Sequence, residues 1–314
     1  MLLVGIMPCR NEDWILGLSA RAALMWVDKL VLLDHASVDG TRAIMDGLVK
    51  EYPGRVTVMA DFNPNWDEMN QRQSLLERAR QEGATHIVCM DADEILTANL
   101  LCPTGQVETI RGATYHQPII RDLVTDMPRH AMLELPWIQL RGSIQTMHAD
   151  GLWGKQWATT AFVDDPLCHW KPDGQGYQHH HRAPLGFSPT PYRPVAWGQG
   201  GLMHLQMVSE KRLREKQYRY ELCDRLRWPG RKTADEVRKY YSYAVYGYQP
   251  EKPLGAFRPQ HTLAPVPDDW WAPYWDLLPH LKADSESWYV AECRRMVAAS
   301  PSIVDGLDSF GVEL

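Results

Sequence analysis

Short apolar runs alternate with longer amphipathic stretches over the first hundred residues. The apolar runs show no polar alternation, which is typical of strands covered on both faces. They lie at residues 2–7, 29–33, 55–59 and 86–90. Stretches of helical length separate them, at about residues 12–26, 40–52 and 67–83. Strands that alternate with helices predict βαβ units and an α/β fold with a mostly parallel central sheet flanked by helices.

The pattern changes after about residue 105. Residues up to 205 are rich in Pro, Gly and His, and strand-like runs occur only near 113–125 and 157–163. Residues 172–201 predict long loops, since prolines and glycines are frequent there.

Helical spacing returns beyond residue 205, over Ser209–Leu226 and Thr233–Tyr246. We therefore expect a helical C-terminal extension rich in Trp and Pro. The predicted organisation has three parts, residues 1–105, 106–205 and 206–314.

Composition excludes several classes of protein. The 314 residues, 45% hydrophobic and 23% charged with a net charge of −6, describe a globular chain long enough to bury a core without disulfides. No apolar run reaches the roughly 20 residues that a transmembrane helix needs, and the N-terminus lacks the basic flank of a signal peptide. The six scattered cysteines form no CxxC pair. We therefore expect reduced thiols and a cytoplasmic location.

Polar, acid-bearing loops follow three of the predicted strands. They are Pro8–Asp13, Asp34–Thr41 and Asp91–Glu94. Each loop alone could serve only to cap the next helix. Because ligands bind outside the carboxyl ends of parallel strands, three such loops at one edge favour a functional site.

The spacing Asp91-Ala92-Asp93 gives the sharpest chemical signal. Alternate residues of an extended segment point the same way, so both carboxylates can face one hard cation such as Mn²⁺ or Mg²⁺. Neither the phosphate-binding GxxxxGK[ST] motif nor a GxGxxG after the first strand occurs. A pair of carboxylates without a glycine-rich phosphate loop is consistent with a bound nucleoside diphosphate whose negative charge is neutralised by a metal ion.

These motifs resemble those of family 2 glycosyltransferases with the GT-A fold. The resemblance rests on Val4–Glu12, Leu33–Thr41 and Ile87–Glu94, and extends weakly through Gly201–Leu205. It implies a metal-dependent hexosyltransferase that uses a nucleoside diphosphate donor, UDP above all. Residues 1–105 would then be the donor half and 106–205 the acceptor half.

The resemblance also implies roles for single residues. The implied donor-binding residues are Pro8, Arg10, Asn11, Glu12, Asp34, Arg72, Asp91 and Ala92. The implied metal ligands are Asp93, Asp91 and His204. His35 stands where family members commonly carry a second acid, which leaves the contacts to the base open.

An inverting transferase also needs a base that deprotonates the acceptor hydroxyl. The candidates are Asp150, Asp164, Asp165 and Glu134. We favour Asp165 or Asp164 because they follow the strand-like run 157–163, although an acidic surface turn before Pro166 explains them equally well.

Aromatic and histidine residues suggest where an acceptor binds. Ten of the 13 tryptophans lie between Trp137 and Trp288, and flat rings suit sugar faces or bases. Trp153, Trp157, His180 and His181 are the predicted acceptor-binding residues, with Trp170 and Trp197 as further tryptophans to mutate. A solvated loop is the ordinary alternative for the histidines.

Residues 205–240 carry eleven basic against six acidic side chains, a net +5, interleaved with aromatic residues. Such a segment could contact an anionic surface through 211–239, stack on nucleic-acid bases, or form a solvated helix face. Three hypotheses follow: a transferase acting on a saccharide or envelope glycan, a transferase acting on a hydroxymethylated base in DNA, and a non-catalytic nucleotide-sugar binding protein.

Overall fold

The computed structural model describes the chain except for 64–66, 102–118, 171–181, 187–189, 247–261, 286 and 308. The strands are β1 Leu3–Cys9, β2 Lys29–His35, β3 Val56–Asp61, β4 His86–Cys89, β5 Glu94–Leu96, β6 Ala131–Arg141, β7 Thr146–His148, β8 Gln156–Val163, β9 Thr190–Tyr192, β10 Leu202–Met207 and β11 Leu263–Pro265. The helices are α1 Leu16–Leu24, α2 Thr41–Glu51, α3 Glu68–Gln81, α4 Ile119–Thr125, α5 Gly151–Gly154, α6 Glu210–Arg227, α7 Ala234–Tyr246 and α8 Trp288–Ala299.

The chain forms two compact units. The first comprises residues 1–138, 155–204 and 267–282, and the second comprises 139–154, 205–266 and 283–314. Among the described residues, no helix is both long and apolar enough to span a bilayer.

The sheet of the first unit is parallel through its centre, in the order β3-β2-β1-β4. This confirms the predicted α/β fold, since each of these strands coincides with an apolar run and α1, α2 and α3 lie between them. Beyond β4 the sheet becomes mixed, because β8 pairs antiparallel with both β4 and β6.

Two buried clusters show that the sheet is covered on both faces. One contains Val88, Met90 and Leu133 with residues of α1, and the other contains Ile87, Cys89 and Leu75 of α3. Residues of the central strands pack alternately into one cluster or the other. These strands therefore need apolar residues at consecutive positions.

The prediction of a strand at 113–125 is wrong for its second part, because residues 119–125 form α4. Ile119, Ile120, Leu123 and Val124 are buried, and spacings of three to four residues place them on one helix face. Residues 113–118 lie outside the described part of the chain. The run at 157–163 does form a strand, β8.

The second unit contains α6, α7 and α8, which confirms a helical C-terminal extension. Its core joins Leu222 of α6, Val237 of α7 and Cys293 of α8. Ser209 caps α6 by accepting a hydrogen bond from the backbone N–H of Arg212, so this helix begins at the predicted position.

Candidate active site

The loops after β1 and β2 are tied to each other by side-chain hydrogen bonds. The Asn11 carboxamide oxygen accepts from the Val38 backbone N–H at 2.7 Å, and the Asn11 N–H donates to the Ser37 hydroxyl. The Glu12 N–H donates to the Thr41 hydroxyl at 2.7 Å. Asn11 adopts a positive φ of 56°, which Asn tolerates better than most residues. The two loops thus form one rigid rim at the carboxyl end of the sheet.

The predicted donor-binding residues at this rim fall on β1 and β2 or just after them. Pro8 pairs with Leu33 at the end of the two strands, and Arg10 follows β1 directly. Asp34 is buried at the end of β2, where its carboxylate accepts from the Ser37 N–H at 3.1 Å. His35, next to it, is buried and its Nε2 lies 2.7 Å from the carbonyl oxygen of Asn63.

Asp91 follows β4 and lies between two guanidinium groups. Its Oδ1 is 3.1 Å from Nη2 of Arg72, and its Oδ2 is 2.6 Å from Nη2 of Arg182. Burial acts to raise the pKa of Asp91, but the charges of Arg182 and Arg72 outweigh it and hold this pKa well below its ordinary value. The two arginines therefore favour the ionised form of Asp91.

Arg72 of α3 is held on its other side by Glu68, one helical turn away, at 2.6 Å. Both side chains are buried. The helix thus presents a fixed guanidinium to the end of β4.

Arg182 and Glu94 also belong to this cluster, although neither was assigned a specific role from the sequence. Arg182 forms an ion pair with the carboxylate of Glu94, which is buried and also accepts a hydrogen bond from the Asp91 N–H. Burial raises the pKa of Glu94, and the neighbouring charge of Asp91 adds to this effect. Arg182 directly follows the histidines His180 and His181 in the sequence. This position was the only indication in the sequence that Arg182 belongs to a functional site.

Asp93 and His204 come together from different parts of the chain. β10 pairs with β5 so that His204 lies opposite Glu94, and Nε2 of His204 is 3.4 Å from Oδ1 of Asp93. The His204 ring stacks on Trp137 with the ring centroids 4.7 Å apart and an interplanar angle of 14°. Trp137 also donates its indole N–H to Glu94 at 2.7 Å. The imidazole therefore has a fixed orientation.

The charges of this cluster do not balance. Two guanidinium groups face four carboxyl groups, so the acids outnumber the arginines by two; the acids are Glu68, Asp91, Asp93 and Glu94. In a buried site such an excess is costly unless a cation neutralises it.

The residues fit a divalent cation only in part. Within the described ranges, no three His, Cys, Asp or Glu side chains surround one point as metal ligands. Asp93 and His204 supply two ligands, while both oxygens of Asp91 engage arginines. Such a pair suits Mn²⁺ or Mg²⁺ that takes its remaining ligands from phosphate oxygens and water.

The two guanidinium groups also have unused donors. Among the described residues, Nη1 of Arg72 and Nη1 of Arg182 are buried without a hydrogen-bond partner. A buried cationic N–H is costly when it has no acceptor, so both atoms point to an anionic ligand beside Asp91.

The structure does not bring Asp164 and Asp165 to this site. β8 runs antiparallel to β4, with Val163 opposite His86, so both acids follow β8 at the amino end of the parallel strands. Asp164 forms an ion pair with Arg80 at 2.8 Å, and Asp165 caps its own loop by accepting from the Leu167 N–H. Asp91 lies about five strand residues, roughly 16 Å, from this end of the sheet.

The candidate base Asp150 belongs to the second unit, where its carboxylate accepts a hydrogen bond from the Thr262 N–H.

The predicted acceptor residues are dispersed. Trp157 begins β8 and packs edge-on against Trp197 at 5.6 Å. Trp170 is fully buried against Phe162, and Trp153 lies in the second unit beside Tyr243. His180 and His181 lie outside the described residues.

No protein-family model matches this chain, and no curated protein matches it. Similar solved structures include TarS 1-349 of S. aureus in complex with UDP, at 12% identity and a TM-score of 0.44, covering 98% of this chain and 89% of that one. Another is the mannosyltransferase PcManGT from Pyrobaculum calidifontis in complex with GDP-Man and Mn²⁺, at 12% identity and a TM-score of 0.32, covering 96% and 80%. Both TM-scores are below 0.5, which is too low to support a functional assignment. The proposed function therefore depends on the geometry of the site itself.

Proposed function

We propose that this protein is a GT-A-type, family 2-like glycosyltransferase that moves a hexose from a nucleoside diphosphate, UDP above all, to a hydroxyl acceptor. The observation that carries the proposal is the buried cluster at the carboxyl end of the parallel sheet. It combines the Asp93–His204 pair, which would hold the cation, with two guanidinium groups whose Nη1 atoms have no partner among the described residues.

Each part of the site has a task in this reaction. The joined loops after β1 and β2 bind the nucleoside, with Asp34 toward the base. Arg72 and Arg182 bind the diphosphate oxygens through their Nη1 atoms. Asp93 and His204 hold Mn²⁺ or Mg²⁺, with Asp91 next to the ribose. The cation, when bound, stabilises the charge that develops on the leaving diphosphate.

The donor half of this proposal is residues 1–105, with residues 106–205 as the acceptor half and 206–314 as the extension. His204 and Arg182 come from outside the donor half, so the acceptor half completes the diphosphate site.

We favour a saccharide or envelope glycan as the acceptor over a hydroxymethylated base in DNA. Several cations of the basic segment, net charge +5, are already paired within the second unit: Lys232 with Asp224, and both Arg238 and Lys239 with Asp235. Cations paired in this way release few counterions when they meet a polyanion. One observation favours the DNA alternative. Tyr240 is 59% exposed, and the Lys232 ammonium lies 4.9 Å from its ring centroid, so an aromatic ring and a cation are both presented at the surface.

A panel experiment tests the function. The protein is incubated with UDP-glucose, UDP-galactose, UDP-N-acetylglucosamine or GDP-mannose, with Mn²⁺ or with EDTA, and nucleotide release is followed by chromatography. We expect slow Mn²⁺-dependent release from one UDP-sugar and none in EDTA. Binding of UDP without any release would favour the non-catalytic alternative, and absence of both would contradict the proposal. Mass spectrometry of glycans and of hydroxymethylated duplex DNA after the reaction distinguishes the acceptors.

A further inference from the structure

Glu134 lies on β6, which is two strands away from β4 in the sheet. It sits opposite Thr159 of β8, next to a bulge that shifts the β6–β8 register between Leu133 and Glu134. β8 pairs with β4 as far as Ala161 opposite Val88, and continuing that register by two residues would place Thr159 level with residue 90, at the start of the Asp91 loop. Two strand spacings amount to about 10 Å, which leaves room for one sugar between them.

Glu134 and Asp91 also point to the same face of the sheet. Leu133 and Leu135 belong to the same buried cluster as Met90 and Ala92. Because neighbouring residues of an extended chain point to opposite faces, Glu134 and Asp91 both turn away from that cluster.

The Glu134 carboxylate is held by one of its two oxygens. Arg193 donates to Oε2 through Nε at 2.7 Å and through Nη2 at 2.6 Å. Among the described residues, neither contact engages Oε1, and the side chain is 18% exposed. Oε1 is thus held in a defined orientation and left available, as a proton acceptor must be.

Arg193 links this carboxylate to a pair of tryptophans. Its guanidinium lies over the ring of Trp157 at 4.6 Å, and Trp157 packs against Trp197. Both tryptophans are only partly buried. Two partly buried indoles joined to the carboxylate through Arg193 offer a surface on which the C–H face of a sugar can pack.

We infer that Glu134 is the general base and that Trp157 and Trp197 form the acceptor platform; this inference rests on the proposed function. The acceptor oxygen forms a bond to the anomeric carbon of the donor sugar while its proton passes to Oε1 of Glu134. The bond from that carbon to the diphosphate oxygen breaks, and its electron pair leaves with UDP. One displacement of this kind inverts the anomeric configuration. Arg193 is a positioning residue.

Azide tests this role because it is a nucleophile that carries no proton to remove. Glu134→Ala and the isosteric Glu134→Gln are compared with the wild type in UDP release from the donor that the panel identifies, with water as acceptor and with added sodium azide. Glu292→Gln is the matched control, since Glu292 is 16% exposed and paired with Arg295 at 2.8 Å in the second unit.

We expect both Glu134 variants to release UDP about 100-fold more slowly in water, the usual contribution of a general base, with the affinity for UDP unchanged. Azide should restore the rate of Glu134→Ala and yield a glycosyl azide of inverted configuration, and Glu292→Gln should behave as wild type. Wild-type release by Glu134→Ala, failure of azide to restore its rate, or retention of configuration would overturn the inference. If the wild type releases UDP from no donor, the proposed function itself fails.

Discussion

The two ends of the parallel sheet each carry an arginine–aspartate pair, but the pairs differ in how completely they are satisfied. At the amino end, Arg80 binds Asp164 through two nitrogens and also donates to the carbonyl oxygens of Asp165 and Cys168. At the carboxyl end, Arg72 and Arg182 share Asp91. Each leaves a buried Nη1 without a partner among the described residues.

The comparison separates structural charges from functional ones. Within the described part of the chain, Arg80 has no buried nitrogen left without an acceptor, and its contacts hold the Asp165–Cys168 loop. Arg72 and Arg182 each keep a buried Nη1 that is unpaired in that same part of the chain and lies next to a group of carboxylates, which favours a role in binding an anionic ligand. The same residue types therefore have different roles at the two ends.

Loss of the cation ligand should have the largest effect. In Asp93→Asn we expect the rate of sugar transfer, measured as UDP release with Mn²⁺, to fall about 1,000-fold, because metal stabilisation of a leaving group is worth several kcal/mol. The matched variant at the amino end, Asp164→Asn, should keep its rate within about twofold while its Tm falls by roughly 3–6 °C. An equal loss of rate in both variants would remove the distinction between the two ends.

The diphosphate contact should come next. In Arg182→Gln we expect the affinity for UDP, measured by calorimetry, to fall about 10- to 100-fold, since a charge-assisted hydrogen bond contributes about 1.5–3 kcal/mol. Arg80→Gln serves as the control and should lower Tm without changing this affinity. Unchanged binding in Arg182→Gln would mean that its Nη1 faces no phosphate.

The third prediction, with the smallest expected effect, concerns Asp28, which stabilises the amino end of the parallel sheet. Asp28 accepts a hydrogen bond from the Leu3 N–H at 2.8 Å and pairs with Arg121. Burial acts to raise its pKa, but these two contacts lower it below the ordinary value. The stabilisation is therefore present above the unfolded pKa of about 3.9 and is lost as the pH falls through the folded pKa.

In Asp28→Asn we accordingly expect about 1 kcal/mol less free energy of unfolding at pH 7, measured with urea, and a difference that shrinks as the pH falls below about 3.9. Turnover should stay at the wild-type rate. A difference that grows as the pH falls would contradict the assigned direction of this pKa.

The sequence predicted the parallel half of the sheet well, because buried parallel strands read as continuous apolar runs. It could not reveal the direction of β8, since a strand has the same pattern whichever way it runs. That direction places Asp164 and Asp165 at the amino end, and it makes β6 run parallel to β4, so that Glu134 lies toward the carboxyl end. The helical spacing within 119–125 was available in the sequence and was misinterpreted as a strand.

The site itself was predictable where residues follow one another in a motif. Asp91 and Asp93 lie in one such motif, whereas Arg182 and Trp137 join them only through long-range pairing. His204 was found through a weak match, and its contact with Asp93 depends on the register of β10 with β5.

Hydrogen exchange in the presence of UDP and Mn²⁺ tests most directly which end of the sheet binds the donor. Backbone amides are followed by mass spectrometry with and without the two ligands. The proposed site predicts slower exchange in residues 10–12, 36–41 and 91–94, and unchanged exchange in 163–168. Protection confined to 163–168, or no protection in the three loops at saturating UDP, would contradict it.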